Sequence, residues 1–212
     1  AEEAPMTKFV ILGDTHGFHP DVPDGDVLIH TGDFTRGWGG RDHVKDVAKW
    51  LGDMPHTHKF LIGGNHDGSL FAHEEQCRAI LGVRGIHYLF HQPAMVGDIK
   101  IWGSPCHPQF AGVFGKTFTE LEALWRQVDP DVDVLITHGP PLGVLDTNGI
   151  YPGNLGDPAL REMVEHWSPK IHAFGHIHGG YGMYRGVLTI FYNVAVCNER
   201  YEPVNPVTVV DI

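Results

Sequence analysis

Five short apolar segments of the chain each run directly into a polar cluster that contains or borders glycine. The segments are KFVIL (8–12), DVLIH (26–30), HKFLI (58–62), DVLIT (133–137) and IHAF (171–174). The clusters that follow them are GDTHG, TGDF, GGNHD, HGPP and GHIHGG. Short apolar runs bounded by turn residues predict buried strands. Ligand sites of α/β folds lie where strand carboxyl ends open into loops, so the five clusters are predicted to meet in one crevice.

Helical patterns between these strands predict an α/β fold, with one domain covering residues 1–212. Residues 42–53 place four apolar side chains on one face, and residues 69–81 are also predicted to be helical. A capping box from Thr119 to Glu122 predicts a helix over 119–128, and Asp157 is predicted to cap a helix that ends near Trp167. A hairpin is expected about Gly97-Asp98, and the tail is rich in strand formers.

The composition argues against several classes of protein. A formal net charge of -11 argues against a polymeric nucleic-acid partner, because an acidic surface repels phosphate backbones. The three cysteines are too few for a disulfide framework, which favours a reducing compartment and a cytoplasmic location. No apolar run reaches 18 residues, so no membrane-spanning helix is expected. The amino terminus AEEAPMTK is not an intact signal peptide, whereas a removed one stays open.

Each polar cluster taken alone also fits a simple turn, but together they supply a set of metal ligands. The set mixes nitrogen and oxygen donors, which suits Mn, Fe, Zn, Ni or Co rather than Ca. Seven ligands are too many for one tetrahedral ion, and they suit two ions about 3.5–4 Å apart with a shared carboxylate. The candidate ligands are Asp14, His16, Asp33, Asn65, His138, His176 and His178.

The order of these motifs resembles that of the calcineurin-like metallophosphoesterase superfamily: D-x-H, G-D, G-N-H-D/E, H and G-H-x-H, over residues 13 to 179. A closer resemblance, to the small metallophosphoesterase-domain-containing (brain-type) subgroup, rests on HTGDFTRGWG, GSPCHPQF, THGPPLG, GHIHGGYG and the tail NVAVCNERYEPVNPVTVVDI. The resemblance implies a four-layer α/β/β/α sandwich with two mixed sheets flanked by helices. Cys106 departs from the tryptophan of the subgroup, whereas His178, which some vertebrate members replace by glycine, is kept.

The resemblance also implies a role for each residue. One metal is expected on Asp14, His16 and His178, the other on Asn65, His138 and His176, and Asp33 is expected to bridge them. His66 is expected to contact the scissile phosphate as a proton donor, and Asn65 to contact substrate as well. Asp67 either orients His66 or caps the following helix, and Arg36 either reaches the substrate phosphate or is a surface arginine.

The function implied is hydrolysis of small phosphodiesters, such as 2′,3′- or 3′,5′-cyclic nucleotides, by a hydroxide that bridges two divalent ions, with Mn²⁺ expected first. The alternatives are a phosphomonoesterase acting on nucleotides or phosphoproteins and a weakly active metal-binding scaffold; a nuclease is disfavoured.

The loops 104–116 and 139–157 are expected to set specificity. Trp38 and Phe110 either stack on a base or belong to the core, and His107 is expected to form a wall of the cleft. The oligomeric state is left open between monomer and homodimer.

Overall fold

The computed structural model describes residues 6–37, 40–109 and 112–212, in which strands and helices are both present. All five predicted strands are present. The strands are Lys8–Leu12 (β1), Val27–His30 (β2), His58–Leu61 (β3), Ile86–Tyr88 (β4), Gln92–Val96 (β5), Ile99–Ser104 (β6), His107–Pro108 (β7), Gly115–Lys116 (β8), Val134–Thr137 (β9), Ile171–Phe174 (β10), Gly182–Arg185 (β11), Ile190–Asn193 (β12) and Thr208–Asp211 (β13).

The strands form two large mixed sheets and one short pair. The first sheet has the order β13-β1-β2-β3-β4, in which β13 alone runs antiparallel to its neighbour. The second has the order β11-β12-β10-β9-β6-β5, with a parallel centre and an antiparallel strand at each edge. The expected hairpin joins β5 to β6 through Gly97, whose φ is +56°. Both mixed sheets agree with the predicted sandwich.

Alternation of side chains along the strands explains how the layers pack, because successive residues of a strand point to opposite faces. Phe9 and Ile11 of β1 join one core cluster with Val134 and Ile136 of β9, so this cluster lies between the sheets. Other faces of the same strands contact helices. The helices are Arg41–Gly52 (α1), Gly68–Ala72 (α2), Glu74–Gly82 (α3), Phe118–Trp125 (α4) and Pro158–Trp167 (α5).

Two helix predictions need correction. The segment 69–81 is not one helix, because the backbone of His73 leaves the helical region and separates α2 from α3. The capping box of α4 is formed by Thr117 and Glu120, two residues before the predicted pair. The spacing Thr-x-x-Glu occurs at both places, so the local pattern alone could not choose between them. Asp157 caps α5 as predicted, accepting the Ala159 N–H at 2.9 Å.

Backbone hydrogen bonds bring the ends of the central strands to one place. Asp14 N–H donates to the carbonyl of Gly32 at 2.9 Å, which joins the loops after β1 and β2. Gly175 N–H donates to the carbonyl of His138 at 3.0 Å, which joins the loops after β10 and β9. Gly13 pairs with Ala195 and links the two sheets directly. The polar clusters therefore share one edge of the sandwich, as the sequence predicts. Among the described residues, no helix is long and apolar enough to cross a membrane.

Candidate metal centre

Asp14, His16 and His178 form the first group of side chains that could hold a cation. The Nε2 atoms of His16 and His178 lie 3.2 Å apart, and the Nε2 of His178 lies 3.3 Å from Oδ1 of Asp14. Ligand atoms about 2.0–2.2 Å from one ion lie at such separations from each other. Three side chains from the loops after β1 and β10 therefore surround one point.

Asn65, His138 and His176 form the second group. Oδ1 of Asn65 lies 3.0 Å from Nε2 of His138 and 2.8 Å from Nδ1 of His176. Asp33 stands between the groups, because its Oδ2 lies 3.6 Å from Nε2 of His138 and 3.9 Å from Nε2 of His16. All seven predicted ligands are thus brought together, and the carboxylate expected to bridge is in reach of both groups.

Hydrogen bonds to backbone carbonyls orient both imidazoles of the first group. Nδ1 of His16 lies 3.2 Å from the carbonyl oxygen of Thr35, and Nδ1 of His178 lies 2.8 Å from that of Asn198. A carbonyl oxygen only accepts hydrogen bonds, so in each ring Nδ1 carries the proton. The Nε2 atoms of the two rings then face each other at 3.2 Å, an arrangement that a shared cation stabilises. Burial opposes a charge on His178, but the adjacent Asp14 raises the pKa of this ring.

The backbone is strained at four of the seven residues. Asp14, His16, Asp33 and His176 have φ values of +50°, +45°, +57° and +65°, in the left-handed region that non-glycine residues rarely adopt. Each such residue costs about 1–3 kcal/mol, and strain of this kind collects at functional sites. The sharp turns aim the side chains inward at the expense of local stability.

The glycines beside the ligands leave room for them. A Cβ atom on Gly64 would lie 2.2 Å from Oδ1 of Asp33, and one on Gly175 would lie 1.8 Å from Oδ2 of Asp14. Both distances are far below van der Waals contact. The glycines found in the sequence motifs are therefore explained by close packing of ligand side chains against the backbone.

Charges within the site are strongly coupled. Burial opposes a charge on His138, but Asp33 and Asp14 outweigh burial and raise the pKa of His138 to about 9. Burial likewise opposes the charge on Asp33, whose pKa is nevertheless held well below its usual range by His138 and His16. Burial lowers the pKa of His176 well below its ordinary value. Without a metal, a protonated His138 therefore balances the Asp33 carboxylate.

Among the described residues, the side chain of Asp67 makes no hydrogen bond to His66, and it does not cap α2. Its Oδ2 accepts the backbone N–H groups of Asp33 and Gly64, both at 2.8 Å, and its Oδ1 accepts that of Thr35 at 3.1 Å. Burial, the largest effect, and the nearby Asp33 raise the pKa of Asp67. The carboxylate instead holds the loops after β2 and β3 together.

His66 lies beside the ligands and faces the cleft. Its ring packs edge-on against that of His16 with the centroids 4.9 Å apart, and its backbone N–H donates to Oδ1 of Asp33 at 2.8 Å. The ring is half-buried rather than enclosed. This position allows contact with a molecule bound in the cleft, although His66 also lies close enough to His16 and Asp33 to share a cation with them.

The cleft has a volume of about 780 Å³ and reaches the ligands Asp33, Asn65, His176 and His178. Its rim comes from loops expected to set specificity, with Gln109 from 104–116 and five residues from 139–157: Asn148, Ile150, Tyr151, Pro152 and Leu155. The side chains of Ile150 and Tyr151 are exposed. Trp38 and Phe110, considered above as stacking residues, lie outside the described residues.

Tyr201 and His107 were not assigned to the site from motif spacing, yet both contact it. The ring of Tyr201 packs edge-on against that of His16 at 4.7 Å between centroids. The ring of His107 lies 4.6 Å from that of His176, and burial lowers the pKa of His107 to about 4. His107 is held between carbonyl oxygens of Pro108 and Val113, so it supports His176 from behind. Of the two residues, only His107 carries a signal in the sequence, which is its proline-flanked loop.

Two sheets, helices outside them and a His/Asp/Asn cluster at one edge define a metallophosphoesterase architecture. Residues 7–180 match the family described as calcineurin-like phosphoesterase, and the chain belongs to this family. The family uses divalent metal ions and suggests a metal-dependent hydrolase.

Individual relatives agree with this assignment. The chain is 35% identical to metallophosphoesterase domain-containing protein 1 of Homo sapiens, over 97% of this chain and 71% of that protein. It is 34% identical to a UPF0046 protein of Caenorhabditis elegans, over 93% of this chain and 79% of that protein. The solved structure of phosphopantetheinyl hydrolase from Mycobacterium tuberculosis has the same fold, with a TM-score of 0.63 at 15% identity over 93% of this chain and 92% of that one.

Proposed function

We propose that the protein hydrolyses small phosphodiesters, with cyclic nucleotides as the substrate class, at two divalent cations held by its seven converging side chains. The observation that carries this proposal is the pair of ligand groups on either side of Asp33, within one open cleft. One cation would be held by Asp14, His16 and His178, the other by Asn65, His138 and His176, with Asp33 common to both.

The donor set fits such cations. It contains four imidazoles, two carboxylates and one amide oxygen, a mixture that suits Mn²⁺ and other first-row transition metals. We propose Mn²⁺ as the first metal to test. When bound, two such ions supply Lewis-acid polarisation of the phosphate and of the attacking water. The three cysteines are buried and unpaired, which supports our proposal of a reducing, cytoplasmic location.

Side chains of the protein would orient the ligands, donate the proton and contact the phosphate. Hydrogen bonds to the carbonyls of Thr35 and Asn198 hold the rings of His16 and His178, which orients their Nε2 atoms towards the candidate cation position. His66, half-buried at the cleft, would donate a proton to the leaving oxygen, a role worth about 10²–10⁴-fold in rate. Asn65 would touch the phosphate from its position between His138 and His176.

The direct experiment removes the metals and returns them. Protein stripped of metal is expected to be inactive on bis(p-nitrophenyl) phosphate and to recover with Mn²⁺. A panel of 2′,3′-cyclic, 3′,5′-cyclic and monoester nucleotides then separates a diesterase from a monoesterase. A protein that stays inert on diesters and monoesters after reloading would instead be a metal-binding scaffold.

A variant of His66 tests its proposed role apart from metal binding. His66→Ala is expected to keep two metals per chain and to lose about 10²-fold or more in kcat, because only the proton donor is removed. His43→Ala, at an exposed position of α1, is the matched control and should behave as the unmodified protein. Loss of metal in His66→Ala would make His66 a ligand.

A further inference from the structure

A second recess of about 400 Å³ opens beside the cleft, and two arginines line it. Its walls are His16, Arg36, Gly37, His66, Arg200 and Tyr201. His66 and Tyr201 also line the cleft, so the two spaces meet across these side chains. The recess therefore adjoins the candidate metal centre on the side of His16 and His66.

The two arginines differ from most cations of this acidic chain. In the described part of the chain, nine lysine and arginine side chains form ion pairs with Asp or Glu: Lys45, Lys49, Arg78, Arg84, Lys100, Lys116, Arg126, Arg161 and Lys170. Within residues 6–37, 40–109 and 112–212, neither Arg36 nor Arg200 has an acidic partner. In a chain with a net charge of -11, the recess thus brings together two arginines that no described acidic side chain neutralises.

Arg36 is held in place without losing its capacity to bind an anion. Its Nε donates to the carbonyl of His16 at 2.9 Å, and its guanidinium lies over the ring of Phe18 at 4.5 Å from the centroid. These two contacts use only the Nε atom and the planar face of the Arg36 guanidinium. In the described part of the chain, its two terminal nitrogens have no protein acceptor, and a planar guanidinium binds phosphate or carboxylate in a bidentate way.

Arg200 lies on a short loop that is tied to the metal centre. Oδ1 of Asn198 accepts a hydrogen bond from the backbone N–H of Arg200 at 2.9 Å. The carbonyl oxygen of the same residue accepts a hydrogen bond from Nδ1 of His178 at 2.8 Å. Tyr201 follows with a strained φ of +60°, and its ring contacts that of His16. The acidic neighbour Glu199 lines the cleft rather than the recess. The loop thus places Arg200 at the recess, next to a residue that contacts the candidate metal ligands.

We propose that this recess binds a second anionic group, a phosphate or carboxylate, on the alcohol part of the substrate. The inference rests on the proposed function, in which His66 donates its proton to the leaving oxygen. The alcohol part of the substrate extends beyond the leaving oxygen. Because His66 would contact that oxygen and also lines the recess, the alcohol part would extend into the recess. The preferred substrates are therefore phosphoesters with a second negative charge, such as nucleotides that carry a further phosphate.

A matched substrate pair tests this on the metal-loaded protein. The pair is 2′,3′-cyclic AMP and the same compound with a 5′-phosphate, which lies away from the reacting atoms. The 5′-phosphorylated compound is expected to have a KM about 10- to 100-fold lower, the range for hydrogen bonds between charged groups. In Arg200→Met this KM ratio is expected to collapse towards unity, and Arg36→Met should reduce it in the same direction.

Arg185→Met is the control, because Arg185 lies on the edge strand β11 and also lacks an acidic partner among the described residues. It should keep the full KM ratio. Equal KM values for the two substrates, or an Arg200→Met variant that retains the ratio, would overturn the proposal while leaving the proposed function intact. An equal loss on both substrates would also overturn it, since Arg200 would then only support the loop.

Failure of the proposed function has a separate signature. If the metal-loaded protein hydrolyses neither compound, the function is wrong, and the same two compounds are titrated into that protein by calorimetry. Tighter binding of the 5′-phosphorylated compound that is lost in Arg200→Met would support the recess. Equal affinity for both compounds would overturn it.

Discussion

Replacing Asp67 by asparagine tests whether this buried carboxylate builds the metal centre or takes part in the reaction. Its two oxygens accept three backbone N–H groups, from Asp33, Gly64 and Thr35. Asparagine keeps one acceptor oxygen, and its NH₂ group faces the backbone N–H that the replaced carboxylate oxygen accepted. Leaving a buried donor unsatisfied costs about 1–3 kcal/mol, so Asp67→Asn should lower the free energy of unfolding by about 2–4 kcal/mol with the added N–H repulsion. Alanine would leave all three donors without acceptor, at about 3–9 kcal/mol.

The assay is urea unfolding of the metal-free protein, followed by metal content after reloading. A native domain is stable by only about 5–15 kcal/mol, so the shift in Asp67→Asn should be large and easy to measure. Metal content should fall with it, because Asp33 lies on one of the loops that Asp67 holds. Asp42→Asn is the control, since Asp42 is exposed and contacts Lys45 on the surface of α1, and it should give no resolvable change.

The opposite pattern would refute this account of Asp67. If Asp67→Asn unfolded at the same urea concentration and kept its metals but lost turnover, the carboxylate would act on His66, as the sequence suggested. A variant that lost stability and metal together would place Asp67 in the framework of the site.

Two further predictions concern packing and protonation at the centre. Gly64→Ala is expected to lose bound metal although no ligand is removed, because its Cβ would lie 2.2 Å from Oδ1 of Asp33 and 2.6 Å from Cε1 of His138. The number of metals per chain is compared with that of Gly82→Ala, whose Cβ would have no atom of the described residues within 4 Å. The raised pKa of His138, about 9, gives stability that is present below pH 6.5 and lost as pH rises through 9, so the urea midpoint of metal-free protein should fall over that interval. A midpoint that rose, or a Gly64→Ala variant with full metal content, would contradict these predictions.

The sequence predicted an α/β fold and the convergence of the candidate ligands because both depend on local patterns, whereas the two-sheet sandwich was implied by the family resemblance. Short apolar strands followed by glycine-flanked polar residues are visible in the chain itself, and the rule that strand carboxyl ends share one edge brings them together. His138 lies 73 residues from Asn65, yet the two meet at 3.0 Å as that rule requires. The predicted positions of the five strands were sufficient for this.

Other features depended on contacts that no local pattern encodes. Asp67 follows His66 in sequence, which suggested a partnership, but its actual partners are backbone N–H groups that carry no sequence signature. Tyr201 and Arg200 reach the site because the chain passes over it between β12 and β13, and no motif spacing marks them. The two overlapping Thr-x-x-Glu patterns before α4 were locally equivalent, so tertiary packing had to select Thr117.

The central claim is that the seven side chains hold two metal ions on either side of Asp33. Anomalous diffraction from crystals of the Mn²⁺-loaded protein measures this directly. We predict two peaks about 3.5–4 Å apart, one beside Asp14, His16 and His178 and the other beside Asn65, His138 and His176. A single peak at full occupancy, or peaks away from Asp33, would contradict the account.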